Sequence, residues 1–243
     1  MGNKTIGSWI TLGNYSIAEV MAQAGFDWLC VDIEHTAIPV SEMQLLIAAI
    51  QANGVVAYVR VGANDELIIK RALDAGADGI IVPMINSKEE AQKAVNACFY
   101  PPIGKRGVGL ARAQGYSFGF ENYKNNKAKN IELIVQIEHI DAINNLEEIL
   151  SVSGVSGSFI GPYDLSGSLG NPGVFDTPEM QKALTKYEQI AGSKNKKMGV
   201  HVVNPNGDLV TEKISLGYNF IAFSLDTFFL GQKIRDELQK IKK

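Results

Sequence analysis

An eightfold alternation of short Val- and Ile-rich runs with longer amphipathic stretches predicts an α/β fold for this chain, a parallel eight-stranded (β/α)8 or TIM barrel. Three segments, "AQAGFDWLC", "LDAGADGIIVP" and "ISLGYNFIAFS", repeat one device in which a helix ends at a glycine and leads directly into a buried strand. The length of 243 residues is typical of one such barrel. We therefore predict a single barrel domain over residues 1–243.

Each predicted strand is a short run of apolar residues rich in Val and Ile. In chain order, the strands are predicted at residues 7–12, 28–34, 56–61, 79–85, 131–138, 158–161, 198–203 and 220–226. The helices are predicted at residues 16–24, 41–52, 65–75, 87–97, 143–150, 178–192, 206–216 and 227 to the C-terminus. Ser41 with Gln44, and Ser87 with Glu90, have the spacing of capping residues and mark two helix starts.

Residues 100–130 interrupt this alternation with a Gly-, Arg- and Asn-rich stretch, "YPPIGKRGVGLARAQGYSFGFENYKNNKAKN". The stretch is too long for an ordinary connection, which predicts a functional, mobile or inter-subunit segment. Lys105, Arg106 and Arg112 suit either a solvated loop or a lid that contacts an anionic substrate or another subunit. The alternation resumes in phase afterwards, so we predict no domain boundary here.

Composition excludes several classes of protein. The net charge of −3 gives no basic surface for nucleic acid. Cys30 and Cys98 have neither metal-ligand spacing nor the pattern of a disulfide-rich domain, so we expect buried free thiols in a reducing compartment. No apolar run approaches the roughly 18 residues of a membrane span. We expect a cytoplasmic protein with no nucleic-acid or membrane partner.

Ionisable side chains collect at the C-terminal ends of the predicted strands. These ends converge on one face of a barrel, so residues far apart in the sequence meet there. Burying such groups is costly without a partner, which favours an active site over chance. The set comprises Asp32, Glu34, His35, Arg60, Glu138, His139, Asp164, His201 and Asp226.

Glu138 and Asp164 follow neighbouring strands and form the most informative pair. Two carboxylates held close together repel each other unless a positive charge lies between them. A hard divalent cation such as Mg²⁺ or Mn²⁺ suits oxygen ligands of this kind. The alternative is that each carboxylate pairs with a lysine or arginine on a helix. No cysteine cluster or His-rich ligand set accompanies the pair, which disfavours zinc.

Six segments, in order along nearly the whole chain, resemble the HpcH/HpaI aldolases, which are metal-dependent class II pyruvate aldolases. They are "CVDIEH", "YVRV", "RALDAGADGIIVPMINSKEEA", "YPPIGKRGVG", "VQIEHIDAINNLEEI" and "FIGPYDLSGSLG". The resemblance implies a carbon–carbon lyase that reversibly joins pyruvate, as its metal-bound enolate, to a small hydroxylated aldehyde. It also implies a divalent cation, Mg²⁺ or Mn²⁺, with Co²⁺ as a further option.

The resemblance assigns roles to individual residues. Glu138 and Asp164 match the metal ligands, and His35 matches the histidine that acts as base through a metal-bound water. Arg60 matches the arginine that holds the keto acid and stabilises its enolate. The remaining implied site residues are Asp32, which accompanies the histidine, Gln136, which lines the pocket, and Gly161, Pro162 and Tyr163, whose backbone touches the pyruvate carboxylate.

The same resemblance implies that the site depends on assembly. Asp74 matches a carboxylate that reaches the histidine of a neighbouring subunit. Relatives form hexamers, built as trimers of dimers, in which the last helix is exchanged, so we expect a homo-oligomer with residues 227–243 packed on a partner. His139 and Tyr163 stand where the family usually carries smaller residues, which bears on the aldehyde preference.

Other mechanisms fit the residues less well. A Schiff-base aldolase needs a lysine inside the barrel, but the lysines fall in helices and loops or, like Lys197, at the start of a strand. No glycine-rich phosphate cradle follows the last two strands. The alternatives are a 2-hydroxyacyl-thioester lyase, an oxaloacetate decarboxylase and a non-catalytic keto-acid-binding barrel. We interpret His139 as a structural residue and His201 as a core residue. Trp9 suits either the mouth of the pocket or the core, and we favour the core.

Overall fold

Eight parallel strands close into one barrel, in the order β1 to β8, with β8 paired to β1. The computed structural model describes residues 4–242. The predicted fold class is confirmed, and all eight strands lie within three residues of their predicted bounds. They are β1 (Thr5–Ile10), β2 (Trp28–Asp32), β3 (Val56–Arg60), β4 (Gly79–Val82), β5 (Glu132–Ile137), β6 (Val155–Ile160), β7 (Lys197–Val202) and β8 (Phe220–Leu225).

Helices cover the outside of the barrel and connect consecutive strands. They are α1 (Tyr15–Gln23), α2 (Val40–Ala52), α3 (Glu66–Asp74), α4 (Lys88–Cys98), α5 (Phe120–Asn122), α6 (Ile140–Asn144), α7 (Leu146–Ser151), α8 (Pro162–Ser168), α9 (Pro178–Ser193), α10 (Gly207–Ser215) and α11 (Asp226–Ile241). The helix predicted at residues 143–150 is instead the pair α6 and α7, and α8 was not predicted. Among residues 4–242, none of the helices combines the length and the apolar composition that a membrane span requires.

One of the two predicted helix caps is confirmed and the other is wrong. The Ser87 hydroxyl accepts a hydrogen bond from the Glu90 amide at 3.2 Å, as a capping residue does. Ser41 lies inside α2, which begins one residue earlier, after Pro39. The Pro39 carbonyl already accepts the first helical bond, from the Met43 amide at 2.9 Å, so Ser41 has no capping role.

The interior of the barrel is filled by an aromatic layer of Trp28, Tyr58, Phe159 and Phe220. Trp28 stacks on Phe220 with ring centroids 4.2 Å apart. Gly7 makes room for this stack, because a Cβ atom there would lie 2.0 Å from the Trp28 ring. Below the layer, Lys197 Nζ lies 2.5 Å from Glu132 Oε2 and 3.0 Å from the Tyr58 hydroxyl, which donates to the same carboxylate. This end of the barrel is therefore closed by packed rings and a charged network.

Residues 100–130, the insertion segment, connect α4 to β5 and so lie at the N-terminal end of the strands. Arg106 forms an ion pair with Asp74 at 2.6 Å, at the end of α3. Arg112 donates to the Ala75 carbonyl at 2.9 Å and to Gln51 at 3.0 Å. The segment ends in short α, π and 3-10 turns over residues 120–130. It does not cover the strand tips of its own barrel, so the lid interpretation is wrong for the chain's own site.

Both cysteines are free and buried, as predicted. Burial raises the pKa of the Cys98 thiol to about 12, and it also raises the pKa of Cys30. A thiol with a raised pKa is a poor nucleophile, so neither residue is suited to covalent chemistry.

Candidate active site

A cavity of about 480 Å³ opens at the C-terminal ends of the strands. Eight of the ten predicted site residues line it, namely His35, Arg60, Gln136, Glu138, Gly161, Pro162, Tyr163 and Asp164. They come from β2, β3, β5 and β6 and from the connections that follow these strands. The convergence predicted from the strand tips is therefore observed for these residues. Asp226 does not line the cavity and instead accepts hydrogen bonds from the Thr11 and Leu12 amides after β1.

Arg60, at the end of β3, is held in a fixed orientation by Asp32, at the end of β2. Its Nε donates to Asp32 Oδ1 at 2.9 Å and its Nη2 donates to Oδ2 at 2.7 Å, a two-point pairing that also fixes the plane of the guanidinium. Burial alone would lower the pKa of Arg60, but the hydrogen bonds to Asp32 and the negative charges of Asp32 and Glu34 together outweigh burial and raise the pKa. The Nη1 group has no protein partner among residues 4–242, so it is left to bind a ligand in the cavity. Asp32 itself is buried and positions Arg60.

Glu34 links Arg60 to His35. Its Oε2 lies 3.3 Å from Arg60 Nε and 3.5 Å from His35 Nε2. Burial raises the pKa of Glu34, against the opposing effect of the Arg60 charge. The His35 side chain is 65% exposed and lies at the rim of the cavity. Asp32 Oδ1 accepts from the Glu34 amide at 3.0 Å, which holds the turn that carries the histidine.

Glu138 is the buried carboxylate of the site and is held at both oxygens. Gln136 Nε2 donates to Oε1 at 2.8 Å, and the Met84 amide donates to Oε2 at 3.1 Å. Met84 reaches this position because its backbone is left-handed, with φ of 53°, a conformation that non-glycine residues rarely adopt. Burial raises the pKa of Glu138 to about 7, with smaller contributions from the charges of Glu34 and Asp164.

Gly161 leaves space beside Glu138. A Cβ atom at this position would lie 2.6 Å from Glu138 Oε1, so any other residue would displace the carboxylate. Asp164 follows in the first turn of α8 and is exposed to the cavity. The helix begins directly at the end of β6, with Pro162 as its first residue.

The part of the cavity lined by Gln136, Glu138 and Asp164 fits a hard divalent cation. Neither Glu138 nor Asp164 forms an ion pair with a lysine or arginine among the described residues, so the alternative pairing does not account for them. Gln136 Oε1 is a buried acceptor without a hydrogen-bond partner. No group of three or more His, Cys, Asp or Glu side chains within residues 4–242 has metal-binding geometry. A cation here would thus have two carboxylate ligands and take the others from water and substrate, as Mg²⁺ commonly does.

Asp74 is not in this cavity. It ends α3 at the opposite end of the barrel, where its Oδ1 pairs with Arg106 at 2.6 Å and accepts from Gln114 Nε2 at 3.1 Å. Within one chain it therefore contacts the insertion segment and not His35. The role implied by the resemblance, in which Asp74 reaches the histidine of a neighbouring subunit, stays a prediction.

The chain matches a family model described as HpcH/HpaI aldolase/citrate lyase over residues 5–231. It belongs to this family. It is 39% identical to the hydroxypyruvate/pyruvate aldolase of Sagittula stellata over 228 residues, covering 93% of this chain and 88% of that protein. It is also 39% identical to the 4-hydroxy-2-oxovalerate aldolase of Rhodococcus jostii over 236 residues, covering 96% and 89%.

Solved structures agree with this HpcH/HpaI assignment. A family member from Burkholderia cenocepacia superposes with a TM-score of 0.92 at 31% identity, covering 99% of this chain and 95% of that one. The relatives are named as aldolases, which are carbon–carbon lyases, so the predicted family and enzyme class are confirmed.

Several residues of this HpcH/HpaI site were missed by the sequence reasoning or only partly described. Trp9 is buried as predicted, but it also lines the cavity, and Arg60 lies over its ring with the guanidinium carbon 4.4 Å from the centroid. His139 caps α6, accepting from the Asp141 amide at 3.1 Å, in line with a structural role. His201 lines the cavity as well as contacting the core. Side chains along a strand alternate between the barrel interior and the surrounding helices. This alternation in β1 and β7 could have placed Trp9 and His201 inside the barrel.

Proposed function

We propose that this chain is a divalent-metal-dependent aldolase that reversibly joins the enolate of pyruvate to a small hydroxylated aldehyde. The observation that carries the proposal is that one cavity combines the oriented guanidinium of Arg60, the imidazole of His35, and the carboxylates of Glu138 and Asp164, which have no lysine or arginine partner among residues 4–242. Membership of an aldolase family supports it, as does the pyruvate named for the Sagittula stellata relative.

The residues that would hold the cation are Glu138 and Asp164, with Mg²⁺ or Mn²⁺ as the first options. When bound, a divalent cation supplies Lewis-acid stabilisation of developing negative charge on the keto oxygen, worth several kcal/mol. Gln136 holds Glu138 in place through its amide. The Gly161 backbone leaves room beside that carboxylate for a ligand.

Arg60 binds the keto acid. Since Asp32 occupies its Nε and Nη2, the group directed to substrate is Nη1, which donates to a carboxylate or enolate oxygen. The fixed guanidinium needs no rearrangement as charge develops, which is the condition under which such a donor accelerates a reaction. Trp9 beneath it excludes water from that side.

His35 moves the proton. An imidazole gives and takes protons readily near neutral pH. In the condensation direction it removes a proton from the methyl carbon of pyruvate, and in the cleavage direction it takes the proton of the C4 hydroxyl. Glu34 Oε2, 3.5 Å from Nε2, stabilises the protonated ring after the transfer.

The proposed function predicts metal-dependent exchange of pyruvate methyl protons in D₂O. We expect Mg²⁺ or Mn²⁺ to promote exchange, measured by proton NMR, and EDTA to suppress it to the rate without enzyme. His35→Ala should lower the exchange rate by roughly 100-fold or more, the usual contribution of general acid–base catalysis, while Mn²⁺ binding measured calorimetrically is retained.

Absence of exchange above the EDTA control would refute the enolate mechanism. Exchange without any adduct from a panel of aldehydes, followed by mass spectrometry, would instead favour the thioester lyase or oxaloacetate decarboxylase. Keto-acid binding without exchange would favour the non-catalytic barrel. Unchanged exchange in His35→Ala would remove the role given to that histidine.

We further propose that the protein is a homo-oligomer, a hexamer as implied by the resemblance, with α11 packed on a second copy. Five apolar side chains of α11 are at least 45% exposed, namely Phe228, Leu230, Ile234, Leu238 and Ile241, and only Asp226 of this helix is buried. Leu230→Glu combined with Ile234→Glu is expected to lower the mass measured by light scattering to that of smaller species. Gln232→Glu on the same helix serves as the control, and an unchanged mass in the double variant would contradict the proposal.

A further inference from the structure

His201 is a second imidazole in the cavity, and the enolate chemistry proposed above does not use it. It lies on β7 with its ring towards the barrel interior, edge-on to Trp9 with ring centroids 5.8 Å apart. Arg60 lies over the same indole. His201 and Arg60 therefore border one aromatic ring on the wall of the same cavity.

The position of the proton on His201 follows from its hydrogen bond. Nε2 lies 3.1 Å from the Ser224 carbonyl oxygen, and a carbonyl oxygen only accepts, so Nε2 carries the proton. Burial lowers the pKa of His201 to about 4, so the ring is neutral at pH 7. The other nitrogen, Nδ1, then has a free lone pair, and no group among the described residues donates to it.

Ser224 holds the ring in this orientation. Its backbone is left-handed, with φ of 51°, at the end of β8. The same carbonyl also accepts from the Ser8 hydroxyl at 3.1 Å. A serine rarely adopts this conformation, so the surrounding barrel must impose it. The imidazole is thus presented to the cavity with one nitrogen satisfied and the other available.

The cavity continues past β7 beyond the catalytic groups. Its wall there is formed by Leu184 of α9, Val200 of β7, Lys213 of α10 and Tyr218. The catalytic side chains lie on the other strands, β2, β3, β5 and β6. A ligand held at its keto-acid end by Arg60 has His201 within the same cavity, since both side chains border the Trp9 ring.

We propose that His201 binds a hydroxyl group on the aldehyde-derived half of the substrate, accepting its hydrogen bond at Nδ1. The inference rests on the proposed aldolase function and makes His201 a specificity-determining residue. A neutral imidazole with a fixed proton accepts from a hydroxyl and gains nothing from a methyl group, so it favours hydroxylated aldehydes over their deoxy counterparts.

The test compares glycolaldehyde with propanal, which carries a methyl group in place of the hydroxyl. Addition of pyruvate to each aldehyde is measured for the wild type, His201→Leu and His201→Asn. The ratio of kcat/KM for glycolaldehyde to kcat/KM for propanal should fall about tenfold in His201→Leu, which is the effect of one lost hydrogen bond. It should recover to within about threefold in His201→Asn, because Asn Oδ1 takes the place of Nδ1 as acceptor. Differences in the reactivity of the aldehydes cancel when the ratio is compared between variants.

Pyruvate methyl exchange without aldehyde separates this role from a structural one. We expect it to stay within about twofold in both variants, since the pyruvate end does not depend on His201. An unchanged ratio in His201→Leu, or an equal loss of exchange and addition, would overturn the inference. Absence of exchange in the wild type would refute the aldolase function itself.

A measurement on the wild type covers the case in which the variants fold poorly. The chain has three histidines, so the ¹⁵N resonances of their rings are readily distinguished. The Nδ1 resonance of His201 should shift when 4,5-dihydroxy-2-oxopentanoate binds and stay in place with 4-hydroxy-2-oxohexanoate, the product from propanal. Equal shifts with both ligands, or none with either, would overturn the assignment.

Discussion

Replacing Glu138 by Gln is expected to lower metal-dependent pyruvate exchange by about 1,000-fold or more, because the charge that holds the cation is lost together with several kcal/mol of Lewis-acid stabilisation. The substitution keeps the size of the side chain and an acceptor for Gln136. Exchange is followed by NMR and Mn²⁺ binding by calorimetry. Glu147→Gln, the same change at an exposed carboxylate that pairs with Lys194, serves as the matched control. Retained exchange in Glu138→Gln would remove this residue from the site.

The pH dependence of cation binding provides a second readout of the same residue. Burial raises the pKa of Glu138 to about 7, so below this pH the cation must displace a proton. The apparent affinity for Mn²⁺ should therefore rise by up to about tenfold per pH unit below pH 7 and level off above it.

Without the cation, the stability of the folded form changes with pH in the opposite direction and falls as the pH rises. The raised pKa stabilises the folded form fully below the unfolded pKa of about 4.5, and this contribution is lost as the pH rises through about 7.

Arg60→Lys is expected to lower kcat/KM for pyruvate exchange by about 100-fold or more, although the positive charge is kept. A lysine has one compact ammonium group, so it cannot pair with Asp32 at two points and still present a third donor to substrate. The exchange rate is measured against pyruvate concentration, which separates weaker binding from a slower reaction.

Arg112→Lys is the matched control for this substitution, because Arg112 contacts the Ala75 carbonyl and Gln51 at the other end of the barrel. Its exchange kinetics should equal those of the wild type. If Arg60→Lys also behaves like the wild type, the oriented guanidinium has no part in stabilising the enolate.

The order of the strands and the convergence of their tips could be predicted because both follow from local pattern. A Val- and Ile-rich run followed by an amphipathic stretch predicts a βα unit, and parallel closure then brings Arg60, Glu138 and Asp164 to one cavity. The Asp32–Arg60 pairing was not predicted in its geometry, since the two residues are 28 positions apart and meet only through the register of β2 with β3.

Features that depend on tertiary contacts were less accessible from the sequence. The left-handed conformation of Met84, which directs its amide to Glu138, has no sequence signal because methionine does not favour it. Asp74 belongs to a segment that resembles the family. It lies away from the cavity because α3 runs towards the opposite end of the barrel and ends at this residue. The single domain, the cation, and the oligomeric state stay predictions.

The aromatic layer and the Lys197–Glu132 pair beneath it have a stereochemical consequence. Since they close one end of the barrel formed by residues 4–242, the cavity opens at the other end, where His35 lies. In the aldol reaction proposed above, an enolate lying flat across the cavity turns one face to the packed rings and the other to the opening. We therefore expect new bonds at its terminal carbon, whether to hydrogen or to carbon, to form on the open side, so that the closed wall sets the handedness of isotopically labelled products.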